Sequence, residues 1–130
     1  MIIPPGFGTV APYLFIENAG GYIKFLVKAF DCEELGRTSR PDGKIANSMV
    51  RFGATTMMIS ESDDRYTPAK SAFYIFVEDA DAAMARAIEA GATLEMKVAD
   101  QPYGDRQGGV VDPAGNIWWV SQRLTDEPYY

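Results

Sequence analysis

Tyr13-Leu14-Phe15-Ile16-Glu17-Asn18-Ala19 and Tyr74-Ile75-Phe76-Val77-Glu78-Asp79-Ala80 share one pattern of apolar, acidic and small residues, 61 positions apart. A repeat at a fixed offset bears on architecture before any local propensity does. Outward from this stretch the offset carries on. Ala29 meets Ala90, Glu34 meets Glu95, Pro41 meets Pro102 and Gly43 meets Gly104. Met57-Met58-Ile59-Ser60 meets Trp118-Trp119-Val120-Ser121. The matches run from Ala11 to Ser60 without a gap. Two copies are too few for a solenoid, so two modules related by a pseudo-twofold axis are expected.

Each copy reads alike. Val10–Ile16 is apolar and β-rich, which predicts a strand. Asn18 then offers a helix N-cap, and Tyr22/Ile23, Leu26 and Ala29/Phe30 recur at helical spacing. Leu35–Thr38 predicts a short strand, Pro41-Asp42-Gly43 a turn, and Ile45–Phe52 and Thr55–Ser60 two strands joined at Gly53-Ala54. The second copy gives a strand at Phe73–Val77 and a helix capped by Asp79, with Ala80, Ala83/Met84 and Ala87/Ile88 as its apolar face and Gly91 as its stop. Strands near Thr93–Val98, Gln107–Val111 and Ile117–Gln122 follow. The fold class is therefore α+β, as two tandem βαβββ modules in one domain spanning 1–130. Module one covers about 9–61 and module two about 71–122. The polar stretch 62–70 (SDDRYTPAK) is expected as the linker. The tail at 123–130 is expected to fray.

The 130 residues carry 12 basic and 18 acidic side chains, for a net charge of −6. Nucleic-acid binding needs a basic face, and Arg37, Arg40, Lys44 and Arg51 are dispersed. An acidic balance favours a cationic small ligand, weakly. Apolar runs stay far short of the ~18–20 residues of a membrane span. The first ten residues (MIIPPGFGTV) have neither a basic nor an apolar signal region, so a cytoplasmic location is expected. Cys32 is the single cysteine and excludes an internal disulfide. Its neighbours Glu33 and Glu34 disfavour a thiolate. There is no histidine, which removes imidazole both as acid/base group and as metal ligand.

The stretches PYLFIENAGGYIKFLVKAFDCEELGR (12–37), YIFVEDADAAMARAIEAGA (74–92) and GDRQGGVVDPAGNIWW (104–119) resemble the vicinal oxygen chelate superfamily: glyoxalase I, the bleomycin-resistance proteins and the extradiol dioxygenases. Asp112, Pro113, Gly115, Asn116 and Trp118 form one motif, and Val77, Asp79, Asp81 and Ala82 the other. The resemblance implies that the modules curl into a cup-shaped half-barrel, usually paired as homodimers. It further implies a divalent metal held from the first and last strand of each module. Those positions fall on Ala11, Ala72, Met58 and Trp119. None offers a lone pair to a hard or borderline cation, so no metal and no cofactor are expected. Many relatives carry histidine where Asn47 and Asn116 stand.

Strand alternation then places Tyr13, Phe15, Tyr74, Phe76, Met58, Trp119 and Ser121 in the cup, with Tyr103 as a lid. The opposite phase would turn Leu14, Ile16, Ile75 and Val77 inward. Leu14 and Ile16 suit a helix-packing face, which favours the first phase. Apart from Tyr103, the loop Asp100–Arg106 reads as a solvated turn, with an Arg106–Asp105 pair as the alternative, and Arg51 as a rim residue or part of an internal ion pair. Glu17 and Glu78 read as residues of the helix starts. A metal-independent binding module that sequesters a planar or aromatic natural product or antibiotic, a cationic one among them, follows from this lining. The alternative is a glyoxalase- or dioxygenase-like enzyme with an atypical site, working metal-free through Tyr13, Tyr74 or Asp105. A structural or regulatory partner protein is a third class that no residue selects.

Overall fold

The computed structural model describes residues Met1–Tyr130. The chain divides into two compact units, Met1–Ala69 and Lys70–Tyr130. Unit 1 holds β1 (Tyr13–Ile16), α1 (Ala19–Phe30), β2 (Glu33–Ser39), β3 (Ile45–Phe52) and β4 (Thr55–Glu61). Unit 2 holds β5 (Ala72–Phe76), α2 (Ala80–Ala90), β6 (Thr93–Asp100), β7 (Asp105–Val111) and β8 (Ile117–Arg123). Each unit is βαβββ, with one four-stranded sheet in the order β1-β4-β3-β2 or β5-β8-β7-β6. Neither sheet closes into a barrel.

In unit 1, Leu14, Ile16, Val50, Met57 and Ile59 are buried together with Tyr22, Ile23, Phe25, Leu26 and Ala29 of α1. Burying one strand face and one helix stripe removes most of the apolar surface from water, which is the main stabilisation of so small a unit. Unit 2 buries Val110, Trp118 and Val120 with Ala80, Met84 and Ala87 of α2. The stripe on α2 is narrower, and Ile88 stays exposed. Gly108 explains the close approach there: a methyl at its position would lie 2.7 Å from Met84 Cε and 2.9 Å from Val98 Cγ2.

Each helix start is held from the end of the strand paired with β1 or β5. Glu61 on β4 accepts from Asn18 N at 2.8 Å and Ala19 N at 3.0 Å. Gln122 on β8 accepts from Ala80 N at 3.0 Å. Asn18 and Asp79 cap from within, accepting from Gly21 N and Ala82 N. These bonds satisfy amides that the first helical turn leaves without partners.

The internal repeat is not ungapped. Tyr13 faces Met58 and Tyr74 faces Trp119, both at the 61-residue offset. Yet Met49 faces Met58 where Gly109 faces Trp119, an offset of 60. Two features absorb the difference. Helix α1 has 12 residues against 11 in α2, which moves the offset from 61 to 60, and the longer turn between β7 and β8, Asp112–Asn116 against Gly53-Ala54, moves it back.

The tail folds back onto unit 2. Leu124 N donates to Gly104 O at 2.9 Å, and Arg123 donates to Glu127 O at 2.7 Å. Tyr129 returns to the sheet, because Asp105 offers a buried carboxylate that its hydroxyl reaches at 2.6 Å. Among the helices, none is long and apolar enough to cross a membrane.

Candidate functional site

Adjacent residues of a strand point to opposite faces. With Leu14 and Ile16 under α1, Tyr13 and Phe15 take the face away from the helix, and their rings meet at 5.2 Å. Tyr13 is 46% exposed. Met58 is its direct neighbour on β4. Tyr66 stacks on Phe15, with ring centres 5.1 Å apart and planes inclined by 13°. Nothing in the polar linker pointed to that residue. Its position is set by Asp63, whose Oδ1 accepts from the backbone of Arg65 and Tyr66. The N-terminal arm also lies on this face, where Gly6 O accepts from Thr56 Oγ1 at 2.8 Å. Between the arm and the sheet is a hollow of about 390 Å³, bordered by Phe7, Ala11, Met49 and Met58 among others.

Unit 2 presents the corresponding face. Tyr74 and Phe76 are 43% and 58% exposed, and their rings meet at 5.2 Å. Trp119 lies beside Tyr74, and Ser121 beside Phe76. The indole of Trp119 covers Gly109: a methyl there would lie 2.6 Å from Cζ3. Met49 stands at the matching place of unit 1, so only unit 2 seats a flat ring directly on its sheet backbone.

Beyond Trp119 the face turns polar. Ser121 is buried and accepts from Gln107 Nε2 at 2.6 Å. The Tyr103 hydroxyl meets Gln107 Oε1, which fastens the loop residue to the strand. Asp105 is wholly buried. The Tyr74 and Tyr129 hydroxyls donate to its Oδ2, and Arg123 donates to its Oδ1 at 2.9 Å. Burial pushes this carboxyl up, but the donors Tyr129, Tyr74 and Arg123 together outweigh it and hold the group below its ordinary value. Burial, then the bond to Asp105, pushes the Tyr74 phenol far up. Tyr13, its counterpart in unit 1, moves the other way: hydrogen bonds with Ser60 and Asn47 lower it, burial opposes them, and Arg40 adds to the lowering. Neither Tyr74 nor the triply bonded Asp105 is placed to act as a base near neutral pH.

Asp105 is therefore not part of a solvated turn, as the sequence suggested, and its ion-pair partner is Arg123 and not Arg106. Neighbours on β7 face opposite ways, and Arg106 reaches Asp81 on α2 and Asp100 on β6 instead. Arg51 is an exposed partner of Glu33. Cys32 is buried. Asn116 is buried and accepts from Ser71 N at 2.8 Å, which ties the turn before β8 to the residue before β5. Asn47 reaches Tyr13 Oη at 3.5 Å. The Asp112–Asn116 motif is a turn: Asp112 Oδ1 accepts from Ala114 N and Asn116 N, and Oδ2 from Trp118 Nε1 at 2.8 Å.

Ala11 and Met58 border the hollow of unit 1, while Ala72 and Trp119 lie on the open face of unit 2. Methyl, thioether and indole groups are not a donor set for Zn²⁺, Mg²⁺ or Fe²⁺. No three His, Cys, Asp or Glu side chains stand close enough to hold an ion. The residues present do not fit the metal that the fold family implies.

Paired βαβββ units with aromatic open faces define a glyoxalase-like protein in fold. The chain belongs to the Glyoxalase/Bleomycin resistance protein/Dioxygenase superfamily, whose family model matches residues 8–120. It is 36% identical over 129 residues to the uncharacterized protein Mb0911c of Mycobacterium bovis, covering 91% of this chain and 85% of that one. Rv0887c of Mycobacterium tuberculosis is likewise 36% identical, with 91% and 76% covered. Among solved structures it is similar to TioX from Micromonospora sp. ML1, at TM-score 0.72 and 23% identity, covering 93% of this chain and 100% of that one. Another is TnmS3, an antibiotic binding protein from Streptomyces sp. CB03234, at TM-score 0.70 and 20% identity, with 94% and 97% covered. At these identities the likeness to solved structures is one of fold.

Proposed function

We propose that this protein binds and sequesters a planar aromatic small molecule, a natural product or antibiotic, without a metal and without making a bond. The observation that carries this is the solvent-exposed row Tyr74–Phe76 beside Trp119, matched by Tyr13–Phe15 beside Met58. Contiguous rings left open on a sheet face mark an interaction site, and flat rings stack well on them. Covering roughly 200 Å² of apolar surface at ~25 cal/mol per Å² contributes about 5 kcal/mol before association costs. Tyr13, Phe15, Met58, Tyr74, Phe76 and Trp119 supply stacking, with the methionine thioether adapting to ligand shape. Tyr103 and Ser121 orient a polar group. TnmS3, an antibiotic binding protein of the same fold, supports the same class of activity. The net charge of −6 favours a ligand that also carries a cation. We read the location as cytoplasmic and the working form as a homodimer, whose mass light scattering after gel filtration measures directly.

Titration with planar antibiotics, a cationic anthracycline among them, tests the proposal. Saturable quenching of tryptophan emission is the expected result. In Trp119→Ala, followed by calorimetry, affinity falls by at least ~1 kcal/mol, as for other buried aromatic anchors, while the circular dichroism spectrum is retained. Undiminished affinity in that variant removes Trp119 from the site.

A further inference from the structure

The C-terminal segment places a phenol on the open face of unit 2. The Tyr129 hydroxyl donates to Asp105 Oδ2 at 2.6 Å, and the Arg123 guanidinium carbon lies 4.0 Å from the Tyr129 ring centre. Arg123 also donates to Asp105 Oδ1 at 2.9 Å and to Tyr103 O at 2.6 Å. A ring with its hydroxyl on a buried carboxylate and a guanidinium over its π-face is a complete recognition geometry for a phenol. Little else holds the segment down. Beyond Arg123 it has the Leu124 N bond to Gly104 O, the Glu127 O bond from Arg123 and this phenol, and Tyr130 is fully exposed. Chain ends with so few ties open at low cost.

We infer that Tyr129 is a built-in occupant of the ligand site, and that a ligand phenol displaces it to donate to Asp105 while its ring lies against Arg123. The inference deepens the binding function proposed above and rests on it. It names the ligand class as a hydroxylated planar aromatic. An ammonium group in the same place would meet the charge of Arg123, whereas a neutral ring is attracted to it. Tyr74 donates to the same carboxylate and lies beside Trp119, so a phenol on Asp105 is continuous with the stacking surface.

The probes are 2-hydroxyanthraquinone and its methyl ether, which share a ring system and differ in the one donor. Binding is followed by tryptophan quenching, at a pH below ionisation of the probe. The hydroxyl form is expected to bind the full-length protein about tenfold tighter than the ether, the discrimination typical of a lost hydrogen bond to a charged group. In Tyr129→Ala the hydroxyl form gains about threefold or more, because the closed fraction no longer competes. Tyr129→Phe, which keeps the ring and loses only the donor, shifts in the same direction. Equal binding of the two probes in every variant overturns the phenol assignment and leaves stacking intact. A hydroxyl preference that ignores Tyr129→Ala and Tyr129→Phe overturns displacement of the tail. Failure of both probes to quench overturns this inference together with the binding function itself.

Discussion

At Gly109 the missing side chain is the space that the Trp119 indole fills. Alanine there would force the indole off the sheet, because backbone on one side and the ring on the other leave no slack. Overpacking of this kind costs about 1–3 kcal/mol, so Gly109→Ala is expected to lower the denaturant midpoint and to shift tryptophan emission. Gly108→Ala presses on the flexible end of Met84 instead, and on Val98, so its emission shift is the smaller of the two. Asp105 carries the acid response of the same face. Its carboxyl is held below the ordinary value in the folded chain. The stability it contributes is therefore fully present above the unfolded carboxylate range near ~3.9, and is lost as pH falls through the lower folded value. Acid unfolding followed by fluorescence should thus steepen only below about pH 4, and Asp105→Asn should remove that part of the pH dependence. The chemistry of Trp119 was legible in its residue type. The seat beneath it was not, since a Gly-Gly pair in a strand says only that something approaches closely.

Helix α1 begins where Glu61, the last residue of β4, hands its two carboxylate oxygens to Asn18 N and Ala19 N. Gln122 does the same for α2 through one oxygen, and the two residues stand at the repeat offset. Glu61→Ala strips both amides of a charged acceptor and should cost about 1–2 kcal/mol, read as a lower melting temperature. Gln122→Ala loses one neutral bond and should cost less. A larger loss in Gln122→Ala would show that these residues matter for something other than the caps. The strands and helices themselves were legible, because the apolar period of two or of 3.6 is a property of short windows. Asn18 and Asp79 were legible as caps for the same reason. The second cap of each helix was not, since its donor and acceptor lie more than forty residues apart. Sequence likewise could not show that α1 has one residue more than α2, nor that the longer β7–β8 turn restores the register, because register exists only against a partner strand.

Over the whole chain, the same βαβββ plan has acquired two different open faces. Unit 1 is lined by methionine and the N-terminal arm. Unit 2 seats an indole and a buried carboxylate with three donors. With Ala11, Ala72, Met58 and Trp119 in the four family ligand seats, a strong chelator should leave ligand affinity unchanged by calorimetry. Elemental analysis of the purified protein should find well under one divalent ion per chain. Stoichiometric zinc, or affinity lost on chelation, would contradict the site described above. What the sequence by itself determined is the order of elements, the alternation that sets Leu14 and Ile16 on the opposite strand face from Tyr13 and Phe15, and the donor-free chemistry of those four seats. Each of these follows from local periodicity or from residue type alone. Tertiary structure alone decided that Asp105 takes Arg123 while Arg106 takes Asp81, that Tyr129 comes back to the sheet, and that Tyr66 stacks on Phe15. Adjacent residues of a strand look in opposite directions, and strand pairing selects their partners from distant parts of the chain.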